Sequence, residues 1–171
     1  MIVVSDTNIL SSLAAGESFP RLRLLFAPAK LVIPPFVEQE LQTGLDKGLH
    51  YLEPILLAIP NKQLQVISLS AEEELLTFNY PGGLNEGERQ AIAIAQMRKA
   101  ILLSNDGQAI RYCKRRNVSV VNLVDILHLF WVRNVMSPDE VREVIEKMKR
   151  VEGLALTPDH LAEIFAPQTT V

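Results

Sequence analysis

Four carboxylates stand out in this chain by where they fall: Asp6, Glu40, Glu88 and Asp106. Asp6 and Asp106 each follow a short apolar run, Ile2-Val3-Val4 and Ile101-Leu102-Leu103. Such a run, bounded by Ser, Asp, Thr, Asn or Gly, is what a strand buried on both faces looks like. Glu40 and Glu88 fall in segments with apolar residues at helical spacing. In an open parallel sheet, ligands bind outside the carboxyl ends of the strands. If the first and fourth strands are neighbours, Asp6 and Asp106 emerge side by side there. Like charges crowded at one edge repel and raise each other's pKa unless something positive sits among them. A hard divalent cation, Mg²⁺ or Mn²⁺, held by carboxylate oxygens and water, supplies it. Each acid also has a plainer use. Asp6 and Asp106 can cap the helices that follow, Asn85 with Glu88 fits a capping box, and Glu40 can be one more solvated acid like Glu38.

The elements that must position these acids alternate along the chain. Strands are expected at 2–4, 31–33, 64–67, 101–103 and 118–121. Helices are expected after Asn8, over 19–26, from Pro35 to Gly44, over 50–59, 71–78, 85–99 and 108–116. Strand and helix in turn imply an α/β fold, a parallel sheet with helices on both faces. Beyond Leu123 the chain turns helical, with one helix over 124–135. Ser137-Pro138-Asp139-Glu140 starts another strongly, and Thr157-Pro158 opens a last one. The division expected is an α/β domain over 1–135 and a helical extension over 136–171, packed on that domain, covering a sheet edge or making a dimer contact.

Composition narrows the classes. At 171 residues, 48% hydrophobic and 22% charged, the chain is of ordinary globular make-up. A net charge of −3 gives no overall basic field for nucleic acid. The single cysteine, Cys113, rules out a disulfide within the chain, and scattered His50, His128 and His160 disfavour zinc and histidine-based hydrolysis. No glycine-rich phosphate loop, basic leader or membrane-length apolar run is present, so a cytoplasmic protein is expected. A receiver domain would want an aspartate where Ser68 stands and a lysine where Asn122 stands. A haloacid-dehalogenase-like phosphatase would want a second aspartate at Asn8. Aromatic content of 6% offers no evident stacking platform for bases.

The runs VVSDTNIL, VIPPFVEQEL, LNEGERQAIAIA and ILLSNDGQAIRYCKRRNVSVV resemble, in that order, the motifs of PIN domains, closest to the stand-alone prokaryotic toxin–antitoxin type. The resemblance implies a five-stranded parallel sheet ordered 3-2-1-4-5 and a pocket of acids binding one or two divalent metals. It implies metal-assisted hydrolysis of RNA phosphodiester bonds. The metal and catalytic acids would be Asp6, Glu40, Glu88 and Asp106, with Asn8, Ser104 and Asn105 as supporting polar residues. The third motif offers both Glu86 and Glu88 where many members have an aspartate, and the fourth has Asn105-Asp106 where some relatives have two acids. Phosphate contacts would come from Arg111, Lys114, Arg115 and Arg116, with Arg21, Arg23 and Lys30 behind them. Expected partners are the RNA substrate, a small antitoxin protein and a second copy in a homodimer. The alternative is a PIN-like binding or scaffold module without activity, which would neither respond to metal nor suffer from Asp6→Asn.

Overall fold

The structure is a computed structural model that describes residues 1–167. Five strands form one parallel sheet: β1 (Ile2–Ser5), β2 (Lys30–Ile33), β3 (Gln65–Val66), β4 (Ile101–Leu103) and β5 (Val120–Val121), in the order β3-β2-β1-β4-β5. Among the described residues ten α-helices accompany it: α1 (Thr7–Ala15), α2 (Phe19–Phe26), α3 (Pro35–Asp46), α4 (Glu53–Leu57), α5 (Ala71–Thr77), α6 (Glu86–Arg98), α7 (Gly107–Arg115), α8 (Leu123–Val132), α9 (Pro138–Glu152) and α10 (Pro158–Ile164).

The strand residues are apolar without alternation because each face of the sheet is covered. Val3, Leu31, Ile33 and Leu103 point into the core shared with α1, α2, α3, α8 and α9. Val4, Val32 and Leu102 point the other way, against Ala91, Ile92, Ala95 and Cys113 of α6 and α7. After β3 the chain crosses back to lay β4 on the far side of β1. The strand order therefore reverses between β1 and β4, which opens a crevice at their carboxyl ends.

Three local expectations are corrected. The segment 50–59 is not one helix: a 3-10 turn over His50–Leu52 gives way to α4, which restarts at Glu53. Pro54 has no N–H to donate, and a proline fits only in the first turn of a helix. Strand five omits Val118, whose N–H bonds the Cys113 carbonyl in the turn leaving α7. Strand three is only Gln65–Val66, because the Leu64 N–H bonds back to Ala58.

The C-terminal helices pack on the helical layer of α1 and α8. Val141, Val144, Ile145 and Met148 of α9 and Ile164 of α10 join the core of α1 and α8. Gly16, at the end of α1, makes this approach possible: a Cβ there would lie 2.8 Å from Met148 Cε and 2.9 Å from Val144 Cγ1. Trp131 Nε1 and His128 Nδ1 both donate to the Ile164 carbonyl, at 2.6 and 2.9 Å, which pins α10 to α8.

On the other side, Arg98 joins α6 to α5. Its Nε and Nη2 each lie 2.6 Å from a carboxylate oxygen of Glu73, which is 2% exposed, and Nη2 also donates to the Ser68 carbonyl. The guanidinium holds the Glu73 carboxyl below the usual range. Arg98→Ala strands a buried carboxylate. Since the arginine itself is about one-third exposed, we expect a loss of about 2–3 kcal/mol and a Tm lower by roughly 5–10 °C. Thermal denaturation followed by circular dichroism measures this, and an unchanged Tm would mean that the pair contributes nothing.

Candidate active site

Asp6 is the residue that ends β1 and caps α1. Its backbone N–H bonds the Leu103 carbonyl at 3.1 Å, which ties the turn to β4. Its Oδ1 accepts the Ile9 N–H at 2.9 Å, so the carboxylate holds open the first turn of α1. Its Oδ2 is buried and, among the described residues, has no partner at hydrogen-bond distance. A buried carboxylate oxygen left bare costs free energy. Burial pushes the carboxyl's pKa from 3.8 up to about 7, against the pull of the Ile9 N–H and of the nearby Ser104 hydroxyl, with Glu88 and Glu40 adding to the rise.

Glu88 belongs to the first turn of α6. Its side chain accepts the Asn85 N–H at 2.9 Å while its own N–H bonds Asn85 Oδ1 at 2.8 Å, a complete capping box. It is also 7% exposed, and burial raises its pKa, with Asp106 and Glu40 adding to the rise. Asp106 caps α7 through a 2.6 Å bond from the Ala109 N–H to its Oδ1. Glu40 reaches in from α3, where Thr7 Oγ1 donates to its Oε2. The absence of a side chain at Gly87 lets it come close: a Cβ there would lie 2.7 Å from Glu40 Oε2 and 3.1 Å from Val37 Cγ2. Glu88 and Glu40 both act electrostatically on Asp6, and Asp106 and Glu40 on Glu88.

Capping and site are thus one arrangement. Three of the acids sit at helix N-termini because their oxygens satisfy N–H groups that have no partner inside the helix.

The other sequence candidates fall in different places. Ser104 is buried and its Oγ accepts the Asp106 N–H at 3.2 Å, which steadies the turn after β4. Asn105 is exposed, and its Oδ1 accepts the Leu123 N–H at 2.8 Å, so this oxygen serves the start of α8 and not the acids. Asn8 is exposed in the first turn of α1 with no side-chain hydrogen bond among the described residues. Arg111 folds back along α7 until its Nη1 lies 3.2 Å from where a Gly107 Cβ would be, beside the turn that Asp106 caps. Lys114 and Arg115 lie in the last turn of α7, away from that end. Arg21 lies 3.8 Å from Glu140. Arg23 and Lys30 line a cleft of about 250 Å³ with Lys62, where β2 begins. That is the amino-terminal edge of the sheet, opposite the carboxyl edge that carries Asp6. Thr7 is the contributor the sequence reasoning missed. Its signal was its place beside Asp6, in the turn that faces α3.

The donors are hard oxygens. Among the described residues no three His, Cys, Asp or Glu side chains close into a ligand cage. Carboxylate oxygens suit a hard divalent cation that keeps part of its water, and the donor oxygen left open to one is Asp6 Oδ2.

The sequence profile of the PIN domain matches residues 2–168. Among solved structures, the chain is similar to a chain of VapBC2 from Rickettsia felis, bound to a DNA fragment from their promoter. The two share 21% identity over 71% of this chain and 98% of that one, with a TM-score of 0.55. At that identity the likeness concerns the fold. No curated protein matches. No helix among the described residues is long and apolar enough to cross a membrane.

Proposed function

The chain belongs to the PIN domain family, and from that membership we propose that it is a divalent-metal-dependent endoribonuclease hydrolysing RNA phosphodiester bonds. The observation that carries the proposal is the bare, buried Oδ2 of Asp6 at the crevice where the strand order reverses. A carboxylate kept there without a partner is costly for folding alone and useful for holding a cation. Asp6, with Glu88, Asp106 and Glu40 around it, would hold Mg²⁺ or Mn²⁺. When bound, such an ion lowers the pKa of a water and offsets the charge of the phosphate.

The chain's own groups do the positioning. The N–H groups of Ile9, Asn85 and Ala109 fix one oxygen each of Asp6, Glu88 and Asp106, and the Thr7 hydroxyl fixes Glu40. Each carboxylate therefore meets its ligand in a set rotamer with little ordering still to pay. Arg111, folded back to the start of α7 beside the turn that Asp106 caps, suits a phosphate next to the scissile one. The same reading makes this a cytoplasmic toxin with a small antitoxin protein as partner and a second copy as dimer mate. The fold shared with a chain of VapBC2 supports looking for that partner.

The test is cleavage of an end-labelled single-stranded RNA with Mg²⁺, with Mn²⁺ and with EDTA, for the wild type and Asp6→Asn. Cutting with metal only, reduced by about 10²–10³-fold in the variant, is expected, the range of losses when a group that stabilises the transition state is removed. Cutting that survives in EDTA or in the variant would rule the mechanism out.

A further inference from the structure

The 6% aromatic content suggests no platform for stacking bases, yet the fold gathers two of the chain's three tyrosines in one cleft. Tyr80 and Tyr112 meet edge to face, with ring centroids 5.1 Å apart and planes at 74°. Asn79, Pro81, Arg115 and Arg116 complete the lining of a cleft of about 480 Å³. Tyr80 is buried at 5% exposure and buttresses the pair, whereas Tyr112 is half-buried and presents its ring to the cleft. The Arg116 guanidinium stands over the Tyr112 ring, 5.6 Å from its centroid. That is the outer end of the cation–π range, so the contact is loose.

The charge around this cleft is one-sided. Helix α7 reads GQAIRYCKR, without an acid, and Arg116 follows it. Arg111, Lys114, Arg115 and Arg116 are all exposed. Among the described residues, every ion pair uses other cations: Arg21, Arg98, Arg142, Lys147 and Lys149. In a chain of net charge −3, a run of cations with no carboxylate partners is a local field for an anion.

The cleft also leads to the acids. Gln108 and Tyr112 are four residues apart and share a face of α7. Gln108 presses on Gly83, so the segment from Asn79 to Asn85 lies along that face. Its far end is the cap of α6 that holds Glu88. From Gly107 to Arg115 the helix rises roughly 12 Å, a distance that a single strand covers in a few nucleotides.

We propose that this cleft is a nucleobase subsite for single-stranded RNA, with Tyr112 as the stacking face and Arg115 and Arg116 on the flanking phosphates. Its direction toward the acids rests on the nuclease reading above; its affinity for RNA does not. A base lies flat on Tyr112 when Arg116 swings from the ring to a phosphate, which an exposed side chain does at little cost. Every base has a π-face, so the subsite selects single strands over duplexes and discriminates weakly among sequences.

The experiment is fluorescence anisotropy of a short labelled single-stranded RNA of mixed sequence, with Mg²⁺, on Asp6→Asn protein so that nothing is cut. Adding Tyr112→Leu is expected to weaken binding about tenfold, within the range for loss of one stacked base. Tyr112→Phe keeps the ring and stays within about twofold. Arg115→Ala and Arg116→Ala each reduce the slope of log affinity against log salt by about 0.7. The same RNA annealed to its complement binds without sensitivity to Tyr112→Leu.

Equal affinity for the leucine and parent proteins, at unchanged Tm, would overturn the subsite. A loss as large in the phenylalanine variant would overturn stacking as its basis. If the leucine variant fails to fold, the phenylalanine and arginine variants still decide. Wild-type cleavage that needs metal, together with RNA affinity indifferent to all four substitutions, leaves the nuclease standing and removes the subsite. The cleft would then suit a protein partner. RNA binding that depends on Tyr112, with no cleavage by the wild type, does the reverse.

Discussion

Asp6→Asn is expected to make the protein more stable in EDTA above pH 7, at the same time as it abolishes cutting. The Asp6 carboxyl titrates at about 7 when folded, against 3.8 for the ordinary side chain. Between those values the unfolded chain has released the proton and the folded one still holds it. Unfolded chains then bind fewer protons, so stability falls as pH rises. The contribution is whole below about 3.8, declines across the interval and is lost above about 7. The gap corresponds to about 4 kcal/mol at most. Asparagine carries no charge to bury and caps a helix as well as aspartate does, so it keeps the Ile9 bond. In EDTA, the wild type and the variant should have similar Tm near pH 4 and diverge toward pH 8, with the variant higher. Mg²⁺ should then raise the wild type's Tm at pH 8 and leave the variant's unmoved. Parallel pH curves for the two proteins would remove the buried charge from the account.

Met148→Ala is the second large effect. The Met148 side chain is fully buried and lies over Gly16, where α9 crosses the end of α1. Truncating a buried methionine costs about 2–5 kcal/mol in transfer and cavity terms. We propose that residues 136–167 belong to the same cooperative unit as the sheet, because their buried residues share the core of α1 and α8. The variant should therefore unfold in a single transition, with near-UV circular dichroism and RNA cleavage lost together at a lower temperature. Two separated transitions, with cleavage surviving the first, would make the extension a domain of its own.

How much of this could be read from the residues follows from what each signal depends on. The strands were legible because burial on both faces leaves unbroken apolar runs such as Ile2 to Val4. Helix starts were legible because caps are local chemistry, as at Ser137 and Asn85. The break at Pro54 and the short β5 were harder. They turn on which N–H finds which carbonyl, at Glu53 and Val118. Asp6 and Asp106 stood out because each follows an apolar run and caps the next helix, and Glu88 because it completes a capping box, whereas Glu40 lies inside α3 without such a signal. The misassigned Lys30 carried its own warning. It stands before its apolar run and not after it, so it had to lie at the opposite edge from Asp6. Tyr80 and Tyr112 were invisible as a pair, since 32 residues and a whole helix separate them until α6 and α7 pack together.

On the proposed reading, Asp6, Glu88 and Asp106 would serve a metal as well as a helix start, which bears on how relatives of this protein are interpreted. A descendant that had stopped cutting RNA would still need something at these three places to start its helices. Drift would then favour aspartate, asparagine, glutamate and glutamine there long after any nuclease activity had gone. Persistence of these acids across a lineage is therefore poor testimony that the lineage is active. Thr7 and Gly87 are better witnesses, because the contacts by which they set Glu40 do nothing for a helix end.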